Sequence, residues 1–162
     1  MNNFTTIRTP IGFLDIQTNS NTVCKIRFSQ PNDISLPRTP QIEYSTIMRQ
    51  TILELHEYFY GKRRTFDVRI NISCSSFSAK VISKLKEIPF GSTVSYKDIA
   101  IKLENSKAAR AVGRVNKYNP IAIIIPCHRV ISSNGRLGGY NAGLKKKIYL
   151  LRHESANINL KK

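Results

Sequence analysis

The hydrophobic period changes partway along the chain, and that change restricts the folds open to it. Phe4, Ile7, Ile11, Phe13, Leu14, Ile16, Val23, Ile26 and Phe28 alternate loosely with polar residues, interrupted by Asn, Ser and Thr at 18–22. This predicts strands joined by a hairpin-like turn. Thr65 to Ile72 alternates strictly, with Phe66, Val68, Ile70 and Ile72 on one side, and predicts a strand that joins the same small sheet. Between these stretches, Tyr44, Ile47, Met48, Thr51, Leu55, Tyr58 and Phe59 keep helical spacing up to Gly61. A linker at 29–39 leads into that helix, with Thr39 expected as N-cap and Pro40 as its first residue. From Phe77 onward the spacing turns helical again, through Val81, Ile82, Leu85 and Ile88 to Pro89. The expected class is α/β (α+β): a small sheet with a helix at 1–75, a helical lobe at 76–156, and a disordered basic tail at 157–162.

A chain of 162 residues, 41% of them hydrophobic, can bury a working core without staples. Three cysteines, Cys24, Cys74 and Cys127, stand far apart with no C-x-x-C pair, so neither a disulfide framework nor a metal site is expected. A reducing cytoplasm suits them. No secretory signal pattern opens the chain and no apolar run approaches roughly 18 residues, so a soluble protein without membrane association is expected. Charge is the strongest compositional signal: 26 Lys+Arg against 10 Asp+Glu leave a net +16, and nucleic acid is the partner such a field selects.

The basic residues are ordered. Ser95, with Asp98 three residues on, forms a capping-box pattern for a short helix that turns Ile99, Ala100 and Leu103 inward. Glu104-Asn105-Ser106 makes a turn, and Ser106 is expected to cap a second helix from Lys107 to about Lys117. On that helix Ala108, Ala111, Val112 and Val115 form one face, while Lys107, Arg110, Arg114 and Lys117 line another. Ala108, Ala109, Ala111 and Gly113 are small enough to let its backbone approach a partner closely. Helix, turn, basic helix is a helix-turn-helix pattern for DNA.

The chemistry concentrates at residues 121–131, Ile-Ala-Ile-Ile-Ile-Pro-Cys-His-Arg-Val-Ile, which predicts a buried strand halted by Pro126 directly before Cys127. A cysteine reacts as thiolate and needs a base or a positive field, and His128 and Arg129 offer both. Neighbours on an extended chain point to opposite sides, so contact between Cys127 and His128 requires either a water or a tight turn. A histidine base also needs a group to fix its tautomer. Glu154 continues the apolar stripe Leu144, Ile148, Leu151 at the end of the last helix, where the macrodipole disfavours negative charge, so a cationic or hydrogen-bonding partner is expected. The Gly-rich stretch Ser132 to Gly143, containing Tyr140, can wall a pocket for a planar ligand.

Together these residues resemble the O6-alkylguanine-DNA alkyltransferases, the methylated-DNA–protein-cysteine methyltransferases, whose mark is Pro-Cys-His-Arg-Val, here Pro126 to Val130. The resemblance extends to Tyr58-Phe59-x-Gly61, Ile88-Pro89-Phe90-Gly91, Ser95-Tyr96, Lys107 to Gly113, Asn119-Pro120, and Gly143-Leu144 running to His153-Glu154. It implies a ribonuclease H-like N-terminal lobe and a winged helix-turn-helix-like C-terminal lobe that binds double-stranded DNA as a monomer through the minor groove. It further implies flipping of an alkylated guanine, with Arg110 filling the gap and Tyr96 crowding the phosphate. Cys127 would take the alkyl group irreversibly, one group per molecule and without cofactor. His128, held by Glu154, would accept the thiol proton through water, Tyr96 would protonate the leaving guanine, and Asn119 would brace the turn. Backbone carbonyls at Cys127 and Val130 would read the exocyclic amine, in a pocket completed by Tyr140, Asn141, Ala142 and Lys147. Lys107, Ala108, Ala109, Gly113 and Arg114 would contact DNA, and a bacterial cell would hold the protein at its nucleoid. Ala142 and Asn141 depart from the glycine and serine usual there, and Val115 and Tyr118 replace smaller residues.

Other classes explain less. A lesion sensor of this fold carries tryptophan at the cysteine position, a Cys-His-Glu hydrolase leaves the basic helix without purpose, and a plain nucleic-acid-binding module leaves Pro126 to Val130 unexplained.

Overall fold

A computed structural model describes residues 3–29 and 44–154. They form two compact units, one drawn from Met1–Ile72 and Pro120–Ala122, the other from Ser73–Asn119 and Ile123–Lys162. The expected cap and start at Thr39 and Pro40, most of the linker, and the tail at 157–162 lie outside the described residues.

The first unit is built on an antiparallel sheet of β1 (Asn3–Thr9), β2 (Gly12–Thr18) and β3 (Val23–Phe28), in the order β1-β2-β3. Both connections are local. Asn19 closes the second, its Oδ1 accepting from the amides of Asn21 and Thr22 and from the Thr22 hydroxyl. Leu14, Ile16, Val23 and Ile26 are fully buried, whereas Phe13 faces solvent. Helix α1 (Thr46–Phe59) buries Ile47, Met48, Leu55 and Tyr58. It starts later than the sequence pattern suggested: the Ser45 side chain accepts from the Met48 amide and takes the N-cap role.

Thr65 to Ile72 alternates in burial as expected but forms no strand. It meets β3 through one isolated parallel bridge, Val23 with Ile70. Part of its fixation comes from a side chain instead, the buried Glu54 carboxylate accepting from the Asp67 amide at 2.9 Å.

The second unit holds α2 (Ser76–Lys86), β4 (Val94–Ser95), α3 (Tyr96–Lys102), a 3₁₀ turn at Ser106–Ala108, α4 (Ala109–Lys117), a second 3₁₀ turn at Cys127–Arg129, β5 (Val130–Ile131) and α5 (Leu144–His153). The capping box on α3 is present in both halves: Asp98 N donates to Ser95 Oγ at 3.0 Å, and Ser95 N donates to Asp98 Oδ2 at 2.8 Å. The second helix departs from expectation. Ser106 opens the 3₁₀ turn rather than capping an α-helix, and α4 begins at Ala109 with no side-chain cap. Its buried face is Ala108, Val112 and Asn116, spaced four apart, while Ala111 is exposed and Val115 only half-buried. On α5 the buried stripe is Lys147, Leu150, Leu151 and then Glu154, and Leu144 lies exposed. Among the described residues no helix is long and apolar enough to cross a membrane.

Residues 121–125 are not a strand. Ile121 makes one bridge to Ile26, and Ile123 then turns the chain with φ at +73°. A β-branched residue in the left-handed region costs about 1–2 kcal/mol, so the surroundings must hold it there. Hydrogen bonds do so: Ile26 N donates to Pro120 O, Ala122 N to Ile26 O, and Asn119 Nδ2 to Ile125 O at 2.8 Å.

Candidate active site

Pro126 delivers the chain into the turn Cys127–Arg129, closed by Arg129 N donating to Pro126 O and Val130 N to Cys127 O. With about three residues per 3₁₀ turn, consecutive side chains fan out instead of alternating. The Cys127–His128 pair lies in such a tight turn, with no direct hydrogen bond between the two side chains among the described residues. Asn119 Nδ2 and Asn116 Nδ2 hold the entry to this turn, on the carbonyls of Ile125 and Cys127 at 2.8 and 3.1 Å.

All three side chains of this turn are buried. His128 Nε2 lies 2.9 Å from Glu154 Oε1. Arg129 grips the same carboxylate with two prongs, Nε to Oε2 at 2.8 Å and Nη2 to Oε1 at 3.0 Å, and its Nη1 donates to Ile88 O. The expected cationic partner of Glu154 is therefore Arg129, which spends its charge there rather than beside the thiol. Burial works against a charged Glu154, but the hydrogen bonds from His128 and Arg129 and the charge of Arg129 outweigh it and hold the carboxyl well below the usual carboxylate range. Burial outweighs the carboxylate at His128, whose pKa falls below 6.5, so the ring is neutral at pH 7. A neutral ring donating Nε2–H to a carboxylate presents a lone pair on Nδ1. That atom is buried and has no hydrogen-bond partner among the described residues.

Burial pushes the Cys127 thiol up, against the opposing effects of Asn119 and the charge of Lys147. Lys147 is itself fully buried, its ammonium donating to the carbonyls of Val130 at 2.6 Å, Leu137, and Gly139 at 3.4 Å. Burial brings its pKa down to about 8. It thereby ties the Gly-rich stretch to β5. Tyr96 stands against the same stretch, since a Cβ on Gly138 would come within 3.1 Å of its hydroxyl oxygen. Burial foremost, and then the Cys127 charge, raise the Tyr96 phenol, which stays protonated at neutral pH. Asn141 is exposed and Ala142 half-buried on the segment that leads into α5. Lys107, Arg110, Arg114 and Lys117 are all exposed, and Gly113 approaches the Tyr96 ring. The second unit's sequence carries 17 Lys+Arg against 4 Asp+Glu, so most of the +16 belongs to the unit that contains the basic helix. Among the described residues, no group of three or more His, Cys, Asp or Glu could hold a metal ion.

The family described as 6-O-methylguanine DNA methyltransferase, DNA binding domain, matches residues 76–156, the segment that holds all of these groups. A methylated-DNA–protein-cysteine methyltransferase of Methanosarcina barkeri is 40% identical, over 94% of this chain and 96% of its own length. The chain belongs to this family. The constitutive methylated-DNA–protein-cysteine methyltransferase of Bacillus subtilis is 38% identical over 91% of each chain. Among solved structures, the Mycobacterium tuberculosis OGT in complex with DNA matches with TM-score 0.83 and 36% identity, covering 94% of this chain and 92% of that one. The fold is mixed, a small sheet and helices, as the sequence pattern indicates.

Three site residues escape sequence reasoning. Asn116 stands on the inward face of α4, and its signal, a polar residue four positions beyond Val112, is visible only once that face is assigned. Ile88 contributes a carbonyl, which no sequence can announce. Gly91 donates its amide to Glu154 Oε2 at 3.1 Å, with φ at +75°, and a Cβ there would sit 2.8 Å from the Glu154 carbonyl oxygen. Gly91→Ala is expected to destabilise the protein by about 2–4 kcal/mol, adding left-handed strain to overpacking. Urea denaturation at pH 7 measures it, and a loss under about 1 kcal/mol would show that the loop adapts.

Proposed function

We propose that the protein repairs DNA by moving the alkyl group of an O6-alkylguanine in duplex DNA onto Cys127, once per molecule. The observation that carries this reading is the buried His128, anchored on Nε2 by Glu154 and without a hydrogen-bond partner on Nδ1 among the described residues, one residue from a cysteine. The thiol is protonated at rest because burial disfavours its charge. As the base enters, the Cys127 proton passes to His128 Nδ1 through a water, and Sγ attacks the alkyl carbon in line. The S–C bond forms as the C–O6 bond breaks, and the bonding pair leaves with the guanine. Tyr96 gives its phenolic proton to that guanine and recovers one from solvent as His128 releases its own. No group proposed for the site can hydrolyse the thioether product, and the electron pair comes from sulfur while proton loss and gain through solvent balance, so the reaction takes no cofactor and does not turn over.

Binding of the duplex is assigned to α4 and the 3₁₀ turn that precedes it, with Lys107, Arg114 and the small residues Ala108, Ala109 and Gly113 at the minor groove, and with the base flipped into a pocket bounded by Val130, Tyr140, Asn141, Ala142 and Lys147. A reactive thiol working on DNA suits a reducing cytoplasm, and a monomer suffices because every proposed group comes from one chain. Incubation with a duplex containing O6-methylguanine, followed by mass spectrometry of the protein, tests the proposal. One methyl group on the Cys127 peptide and no second turnover support it, whereas an unmodified cysteine or repeated turnover overturns it. In the same assay Arg110→Ala is expected to slow repair of the duplex by about 10–100-fold, the value of one lost specific contact, and to leave transfer from free O6-methylguanine base unchanged. Equal losses on both substrates would remove the finger role.

A further inference from the structure

Asn116 stands in a place that chemistry would normally give to an apolar side chain. It occupies the inward face of α4 in line with Ala108 and Val112 and is 4% exposed. Burying a carboxamide costs about 1–3 kcal/mol unless its groups are paired. An apolar side chain of the same branching would avoid that cost, so the amide needs a task.

Its hydrogen bonds define the task. Nδ2 donates to the backbone carbonyl of Cys127 at 3.1 Å. Only the nitrogen of a carboxamide can donate to a carbonyl, which fixes the amide's orientation. The same NH₂ group has a second hydrogen, and Asn116 also hydrogen-bonds the Tyr96 side chain in the sense that lowers its pKa, as a donor does. Oδ1 is buried and has no partner among the described residues. A phenol oxygen that accepts from Asn116 keeps its own O–H free to point elsewhere. Gly138 backs onto that oxygen closely enough that a Cβ would lie 3.1 Å away, and Gly113 borders the ring on the α4 side.

We infer that Asn116 is a positioning residue for the transfer: one carboxamide fixes the turn that carries Cys127 and orients the Tyr96 hydroxyl so that its proton faces the departing base. The inference rests on the function proposed above and names the residue that sets its nucleophile and its acid in register. As Tyr96 gives up its proton, the N–H from Asn116 stabilises the charge left on oxygen, an interaction that strengthens in the transition state and so acts on rate rather than binding. Because Asn116 belongs to α4, seating that helix on DNA and aligning the reacting groups become one event.

The test compares full-length wild type, Asn116→Leu, Tyr96→Phe and the double variant in single-turnover transfer from an O6-methylguanine duplex, alongside duplex affinity and titration of the Tyr96 phenol by NMR. Asn116→Leu is expected to slow transfer by about 10–100-fold, within reach of a mispositioned general acid, while duplex affinity changes by less than about twofold. The Tyr96 titration should move upward. In the Tyr96→Phe background, Asn116→Leu should slow transfer by a visibly smaller factor, since its partner is already gone. Asn116→Asp, which has nearly the same volume, guards against a folding defect in the leucine variant, and it too should raise the phenol titration and slow transfer. Wild-type rates in both variants, or an equal Asn116→Leu effect with and without the Tyr96 hydroxyl, would overturn the inference. Failure of the parent reading looks different, because wild type itself would then transfer nothing.

Discussion

Cys127→Ala is expected to abolish alkyl transfer while leaving affinity for an O6-methylguanine duplex within about twofold of wild type, since phosphate contacts by exposed cations dominate such binding. Exposed Arg110, Arg114 and Lys117 lie on α4, whereas Cys127 lies in a buried turn held to α4 through Asn116. Removing a sulfur from that turn deletes the nucleophile and one small buried group. It leaves the backbone bonds of the turn intact, as well as the Glu154 network. Fluorescence anisotropy across a salt series measures binding, and mass spectrometry measures transfer. If affinity falls as far as transfer does, the thiol is part of the DNA-binding surface and the division of labour is wrong. If methyl transfer persists in the variant, with the label on Cys24 or Cys74, the nucleophile has been misassigned.

The residues legible in the sequence were those out of keeping with their surroundings. Glu154 ends an apolar stripe at the wrong pole of a helix, and the structure answers it with Arg129 and His128. Ser95 and Asp98 announce their capping box by spacing alone, because both bonds are made within four residues. The misread parts are those fixed by distant partners. An Ile-Ala-Ile-Ile-Ile run is equally apolar as a strand or as a buried turn, and here hydrogen bonds to Ile26 and from Asn119 decide for the turn. Residues 65–72 alternate in burial like a strand, yet most of their backbone finds no ladder partner, and Glu54 supplies a bond that a neighbouring strand would have given. Ser106 and Thr39 have good capping chemistry, but the observed starts of α4 and α1 fall at Ala109 and Thr46. Propensity says that a cap is available and leaves packing to choose among candidates.

Lys147 shows the same limit at the site. Helical spacing put Leu144 and Ile148 on the buried stripe, but the lysine lies fully inside because three backbone carbonyls await its ammonium, and Leu144 is left exposed. A buried charge satisfied by main-chain oxygens leaves no trace in the identity of its partners, so the pattern of side chains cannot foretell it. Asn116 differs in degree only. Its polarity on an inward face is visible, and what it binds is not.

Glu154→Ala is expected to destabilise the protein by about 3–5 kcal/mol, the penalty for stranding a buried cation, out of a total stability of about 5–15 kcal/mol. Four donors lose their acceptor at once: the His128 ring, two nitrogens of Arg129, and the Gly91 amide. Arg129 keeps only the Ile88 carbonyl and its place near the Phe90 ring, which cannot neutralise a guanidinium that is 6% exposed. Glu154→Gln restores the shape but brings an NH₂ toward these donors, so an intermediate loss is expected. The effect carries a pH signature. Because the folded-state pKa of Glu154 is depressed below its ordinary 4.5, its contribution is fully present above that value and is lost as pH falls below it toward the folded pKa. The stability gap between wild type and Glu154→Ala, measured by urea denaturation, should therefore be constant from pH 7 to about pH 5 and narrow as acid is added further. A gap under about 1 kcal/mol at pH 7, or one that widens in acid, would mean that the ion pair contributes nothing net to the fold and that Arg129 finds other partners.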